Sequence, residues 1–168
     1  MSISAHRSAV APRLRSRPEV TVLAGFSPRA TAAVAEQLLR DDPRLILVQH
    51  DLTGIRDGTV RRTARTFTRT IDDRTVTLVH GCMSCTLRED VVPTLARLAR
   101  RHPDHDLLLA LPPAMEPEAV ATACRFCTVD DRPVTELLHL DSYVTVVDAG
   151  HFLDDLSSAD DLDDRGLH

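Results

Sequence analysis

The stretch VTVLAGFSPRATAAVAEQLL, Val20 to Leu39, decides how the rest of this chain is read. A β-branched run leads into Gly25, and Ser27-Pro28 then supplies an N-cap and a first helical residue. Ala30, Val34 and Leu38 recur at intervals of four, which predicts the apolar face of a helix. A strand entering a helix through a glycine turn is the building unit of α/β sheets, and the helix N-terminus is where such sheets commonly hold a phosphate.

Outward from this unit lie four more apolar runs: LILVQHD from Leu45, TVTLVHG from Thr75, DLLLAL from Asp106 and YVTVVDA from Tyr143. Continuous runs of this kind suit strands buried on both faces. Helical spacing recurs between them, at Val91, Leu95 and Leu98 and again at Ala119, Val120, Ala123 and Cys124. The alternation predicts right-handed βαβ units and a doubly wound, mostly parallel α/β sheet. The Arg-rich residues 57–73 show no clear period and read as a solvated helix or a mobile connection. Residues 1–18 read as a flexible leader, 19–156 as a single domain, and the acidic residues 157–168 as a tail or an interrupted continuation. In such a sheet ligands gather beyond the carboxyl ends of the strands. Here those ends are Gly25-Phe26, His50-Asp51, His80 to Cys85, Leu111 to Pro113 and Asp148.

Composition narrows the function classes. The chain's 168 residues are 43% hydrophobic but only 3% aromatic, so the core must be aliphatic. A net charge of −5 gives no basic field for an extended nucleic-acid groove or an anionic lipid surface, so neither DNA nor membrane is an expected partner. No run approaches the ~18 apolar residues of a membrane span, and the leader lacks the apolar core of a secretory signal. Four Cys in such a chain read as reduced thiols or metal ligands, and the cytoplasm is the expected compartment.

A phosphate cradle of the G-x-x-x-x-G-K-[ST] kind needs a second glycine, an ammonium group and a hydroxyl for Mg²⁺. Gly25 is followed five positions later by Ala30, then by Thr31 and Ala32. All 20 basic residues are Arg, so no shift of register brings a Lys into the turn. The planar fork of Arg29 is a poor replacement for a compact ammonium. SPRA reads instead as an ordinary helix start, and weak anion binding at that helix N-terminus is the remaining functional reading.

The most informative stretch is HGCMSCTLRED, His80 to Asp90. Gly81 permits a sharp turn, Cys82 and Cys85 follow two residues apart, and Thr86 with Glu89 has the spacing of a capping box. Thiolate, the form that binds metal, is favoured at a helix N-terminus. Cys82, Cys85 and His80 would give a partial Zn²⁺ site, completed by a further ligand or water. Two semi-buried thiols and a redox dithiol are the competing readings. Cys124 and Cys127 form a second C-x-x-C, but Val120, Cys124 and Cys127 share one helical face, which favours core packing. His50, His80, His102, His105, His139 and His151 are scattered and read mostly as surface or strand-end residues.

This stretch resembles the signature of the CobW-type GTP-binding metallochaperones, G-C-x-C-C-T-L-R followed by an acidic residue. Gly81, Cys82, Cys85, Thr86, Leu87, Arg88 and Glu89 match it, with Ser84 in place of the middle cysteine. VTVLAGF resembles the strand entering that family's phosphate loop, DLLLALPPAMEP its I-E-T-S-G-L-A-D-P segment, and SYVTVVDAGHF its V-V-T-V-V-D-A strand. The similarity spans most of residues 19–156 and implies a P-loop NTPase-like topology, truncated, with GTP and Mg²⁺ held near Gly25, Arg29, Thr31 and Asp51. It also implies zinc handling and a protein partner or metal-receiving client. The form of the cysteine signature is similar to actinobacterial members, which implies a link to zinc-limited growth and ribosome remodelling. The departures all fall on nucleotide-handling groups: Gly-Lys-Thr becomes Ala30-Thr31-Ala32, Glu becomes Ala110, Ser-Gly becomes Pro112-Pro113, and no N-K-x-D motif is present. The expectation is a CobW-like domain that binds metal through Cys82 and Cys85 or docks on a partner without hydrolysing nucleotide. A residual GTPase and an interrupted product without function are the alternatives.

Overall fold

Three strands alternate their side chains so regularly that they define two cores. The computed structural model describes residues 17–113, 115–161 and 163–165. In chain order the elements are β1 (Glu19–Ala24), α1 (Pro28–Asp41), β2 (Leu45–Asp51), a 3-10 turn (Ile55–Asp57), β3 (Thr59–Arg65) and β4 (Thr70–Thr77). Next come α2 (Met83–Cys85), a π-helical stretch (Thr86–Val91), α3 (Val92–Arg101), β5 (Asp106–Ala110) and α4 (Pro117–Phe126). The chain then forms β6 (Thr128–Val129), β7 (Arg132–Pro133), α5 (Val134–Leu137), β8 (His139–Thr145) and α6 (Phe152–Ser157).

Six strands form one sheet in the order β4-β3-β2-β5-β1-β8, while β6 and β7 pair separately. Val20 and Val22, Ile46 and Val48, and Leu107 and Leu109 point to one face, where Leu95 and Leu98 of α3 and Val120 and Cys124 of α4 cover them. The intervening Leu23, Leu47, Leu108 and Ala110 point to the other face, against Ala35 and Leu39 of α1. Period-two alternation with apolar residues in both phases requires a helix layer on each side. The expected doubly wound α/β architecture follows. β2, β5, β1 and β8 run parallel.

Three expectations are corrected. Residues 57–73 are neither a solvated helix nor a mobile connection: β3 and the first half of β4 lie there, antiparallel to each other, with β3 antiparallel to β2. Their charged residues pair across strands, Arg61 with Asp73 at 2.9 Å, so the stretch carries strand structure without an apolar period. The run expected as a strand from Thr75 is the end of β4, which begins at Thr70 and ends at Thr77, leaving Leu78 to His80 outside it. On α1 the buried positions are Thr31, Ala35 and Leu39, one residue on from the predicted face, and Leu38 is exposed.

Most of the expected leader lies outside the described residues, but Pro18 is buried and its carbonyl accepts the His139 N–H at 2.9 Å. No helix among the described residues is long and apolar enough to cross a membrane.

Candidate functional site

A cleft of about 790 Å³ opens beyond the carboxyl ends of β1, β2 and β5. It is lined by Gly25, Thr31, Gln49 to Thr53, Ile55, Arg56 and the segment from Ala110 to Pro113. β1 and β2 lie on either side of β5, so the cleft sits where such sheets hold ligands. Gly25, Thr31 and Asp51 therefore share one cavity, whereas Arg29, exposed on the first turn of α1, is not part of its lining.

The start of α1 spends its donors on itself. Ser27 caps the helix by accepting the Ala30 N–H at 3.3 Å, and Pro28 has no N–H to offer. Of the three leading helical residues only Arg29 keeps an amide for an external anion. Gly25 has no room for a side chain, because a Cβ there would lie 2.6 Å from the Val146 carbonyl oxygen and 2.7 Å from Thr31 Oγ1. That hydroxyl is buried without a hydrogen-bond partner, a feature the sequence does not announce. Asp51 accepts the Thr53 N–H at 2.9 Å, and this bond holds its carboxyl below the usual carboxylate range, so it faces the cleft as an anion. Arg56 is the only Arg or Lys among the described lining residues. Among the described lining residues one Arg accompanies the Asp51 carboxylate, a poor fit to a triphosphate, which needs several converging positive groups.

The second candidate element is the turn after β4. Cys82 has extended backbone and caps α2 with its sulfur, which accepts the Cys85 N–H at 3.4 Å. Thr86 is not a cap: it is fully buried, with its hydroxyl donating to the Cys82 carbonyl at 3.0 Å. The helix therefore begins three residues before the capping-box position. Glu89 instead accepts the Val79 N–H at 3.0 Å, closing the turn from behind. Pro93 supplies no N–H to Glu89, and the helix widens ahead of it, with the Val92 N–H reaching back to Leu87. The N–H from Cys85 lowers the Cys82 thiol below its ordinary value, while hydrogen bonding to Cys82 and burial raise Cys85. Cys82 is exposed and Cys85 buried. His80 is exposed and its carbonyl accepts the Cys82 N–H at 2.9 Å. Among the described residues no three His, Cys, Asp or Glu side chains are grouped to hold an ion.

Two links tie this turn to the cleft. Gly81 lies so close to the Ile55 carbonyl oxygen that a Cβ would sit 1.9 Å from it, and Ile55 lines the cleft. The other link is a buried polar chain: His50 lies at a strand end, as expected, but its burial and partners were not foreseen. His50 donates to Asp90 at 2.8 Å, Arg62 reaches both Asp90 and Asp72, and Arg97 donates to Asp72 at 2.6 Å. His50, Arg62, Asp72 and Asp90 are all buried. The only sequence signal was the placement of opposite charges on facing strands and helix, visible once the β2–β3–β4 pairing is known. The second C-x-x-C takes no part: Cys124 is fully buried in the core, and burial pushes its thiol up to about 12.

Comparison with known proteins follows the same lines. The family description CobW/HypB/UreG, nucleotide-binding domain, matches residues 34–166. The chain is 31% identical over 129 residues to the zinc chaperone Rv0106 of Mycobacterium tuberculosis, covering 71% of this chain and 31% of that protein. It is 29% identical over 152 residues to the zinc chaperone CobW of a Sinorhizobium species, covering 84% of this chain and 41% of that protein. The chain thus spans well under half the length of these curated relatives. No solved structure gives a significant match. The matched residues run from the middle of α1 through the cysteine turn to α6, and on that evidence the chain belongs to the CobW/HypB/UreG nucleotide-binding domain family.

Proposed function

We propose that this chain serves metal homeostasis as a zinc-handling domain that takes the ion as cargo on Cys82 and Cys85, and that it does not depend on nucleotide hydrolysis. The observation that carries the reading is the asymmetric dithiol: an exposed sulfur with a lowered thiol sits beside a second, buried sulfur on one helical turn. Two thiolates hold Zn²⁺ incompletely, because the ion takes four donors. The open positions suit a receiving protein client that supplies the remaining ligands. The names of the two relatives, both zinc chaperones, support the metal. The cleft keeps the position of a nucleotide site with the donor-poor α1 start and the Asp51 anion described above. The test is competition for Zn²⁺ against a chromophoric chelator. Wild type should take one ion per chain, and Cys82→Ser or Cys85→Ser should weaken binding at least about ten-fold. Equal stoichiometry and affinity in all three proteins would remove the dithiol from the reading.

A residual nucleotide-binding role is the second reading, favoured by the unpartnered Thr31 hydroxyl at the wall of the cleft. It requires a ligand whose polar atom satisfies that oxygen, and nucleotide binding measured in solution separates the two.

A further inference from the structure

We propose that Cys82 and Cys85 are also a redox-modification site, closing reversibly into an intramolecular disulfide by exchange with a low-molecular-weight disulfide. The inference stands apart from zinc binding and rests on where the two sulfurs are. Cys82 is the N-cap of α2 and Cys85 lies three residues on, so the two side chains belong to one turn. The Cys82 sulfur already folds back over the turn to within 3.4 Å of the Cys85 amide nitrogen. The turn is also held from outside, by Glu89 on the Val79 N–H and by the close approach of Gly81 to Ile55. A preformed turn lowers the entropy cost of closing the ring.

The division of exposure assigns the roles. Cys82 is open to solvent and meets the incoming disulfide; Cys85 is buried beside it, with Cys82 and the Glu89 carboxylate as neighbours. In the first step the Cys82 thiolate attacks one sulfur of the small disulfide, forming a mixed disulfide and releasing one small thiolate, which takes up a proton. In the second, Cys85 attacks the Cys82 sulfur, losing its proton to the departing second thiolate. Two protein thiols and one small disulfide become one protein disulfide and two small thiols, and the small disulfide is the oxidant. The second C-x-x-C serves as an internal control. Cys124 is fully enclosed in the core and Cys127 is half-buried, so neither sulfur there is as open as that of Cys82.

Reduced, zinc-free protein is incubated with glutathione disulfide, quenched by alkylation and mapped by peptide mass. Wild type should form the Cys82–Cys85 disulfide at least ten-fold faster than any bond between Cys124 and Cys127. Cys85→Ala should stop at glutathione on Cys82, and Cys82→Ser should slow modification of Cys85 at least ten-fold. The proposal fails if wild type retains glutathione on Cys82 without resolving it, or if Cys85 reacts as fast in Cys82→Ser as in wild type. Because the decisive reading comes from wild type, a variant that folds poorly does not spare the proposal. Loss of zinc binding in the chelator competition would leave this result unchanged.

Discussion

The N–H that Cys85 gives to the Cys82 sulfur separates two thiols of one motif, since it stabilises the anion of the first and leaves the second the proton. Cys82 should therefore be alkylated by iodoacetamide with a midpoint pH below the ordinary thiol value of about 8.5. Cys85 should lag at every pH tested, and equal midpoints followed by site-resolved mass spectrometry would contradict the asymmetry. Asp72 shows the opposite balance of burial and charge. Burial alone would raise its carboxyl, but the hydrogen bond from Arg97 and the charge of Arg62 outweigh it and hold the carboxyl below the usual range. A depressed native pKa adds stability that is fully present above the unfolded value of about 3.9 and is lost as pH falls through the native value. Asp72→Asn removes one partner of a buried ionic chain and should cost about 3–5 kcal/mol near neutral pH. In denaturant melts that gap should narrow once pH drops below about 4; a gap independent of pH would show that the charge is not the cause.

Among the elements, the turn between β4 and α2 depends most on a single residue. A Cβ on Gly81 would meet the Ile55 carbonyl oxygen at 1.9 Å, a backbone atom that cannot rotate away. Gly81→Ala should therefore destabilise by about 1–3 kcal/mol or more and displace the 3-10 turn that lines the cleft. Melting together with site-resolved alkylation of Cys82 reads both effects. Unchanged stability and unchanged Cys82 reactivity would mean the contact is not tight. The elements that the sequence made legible are those whose pattern is apolar: β1, β2 and β5 announce themselves by continuous runs, and α3 by Val91, Leu95 and Leu98. β3 was not legible because its inward positions include Arg62, whose burial is possible only with Asp72 and Asp90 on neighbouring elements. The start of α2 was missed because sulfur, rather than a hydroxyl, is the cap. The face of α1 shifted by one because Thr31 and Ala35 bury small side chains while Leu38 covers the edge.

The molecule as a whole joins a sheet of phosphate-binding type to a cleft that, in the reading proposed above, does not grip a triphosphate. The doubly wound order places Gly25, Asp51 and Leu111 around one cavity, and this much follows from strand ends read in the sequence. The buried chain from His50 to Arg97 does not, since its members lie 12 to 47 positions along the chain from His50 and meet only in the folded sheet. That chain and the Gly81 contact make the cysteine turn and the cleft neighbours on one rigid end of the sheet. Function is then decided by which of the two retains a ligand. Proline at the first helical position, an internally spent Ala30 amide and the Asp51 carboxylate argue that the cleft does not grip a triphosphate. The most direct measurement is equilibrium titration of the full chain with a fluorescent GTP analogue and Mg²⁺. The account predicts no saturable binding up to millimolar nucleotide; micromolar affinity that competes with unlabelled GTP and falls in Thr31→Val would contradict it.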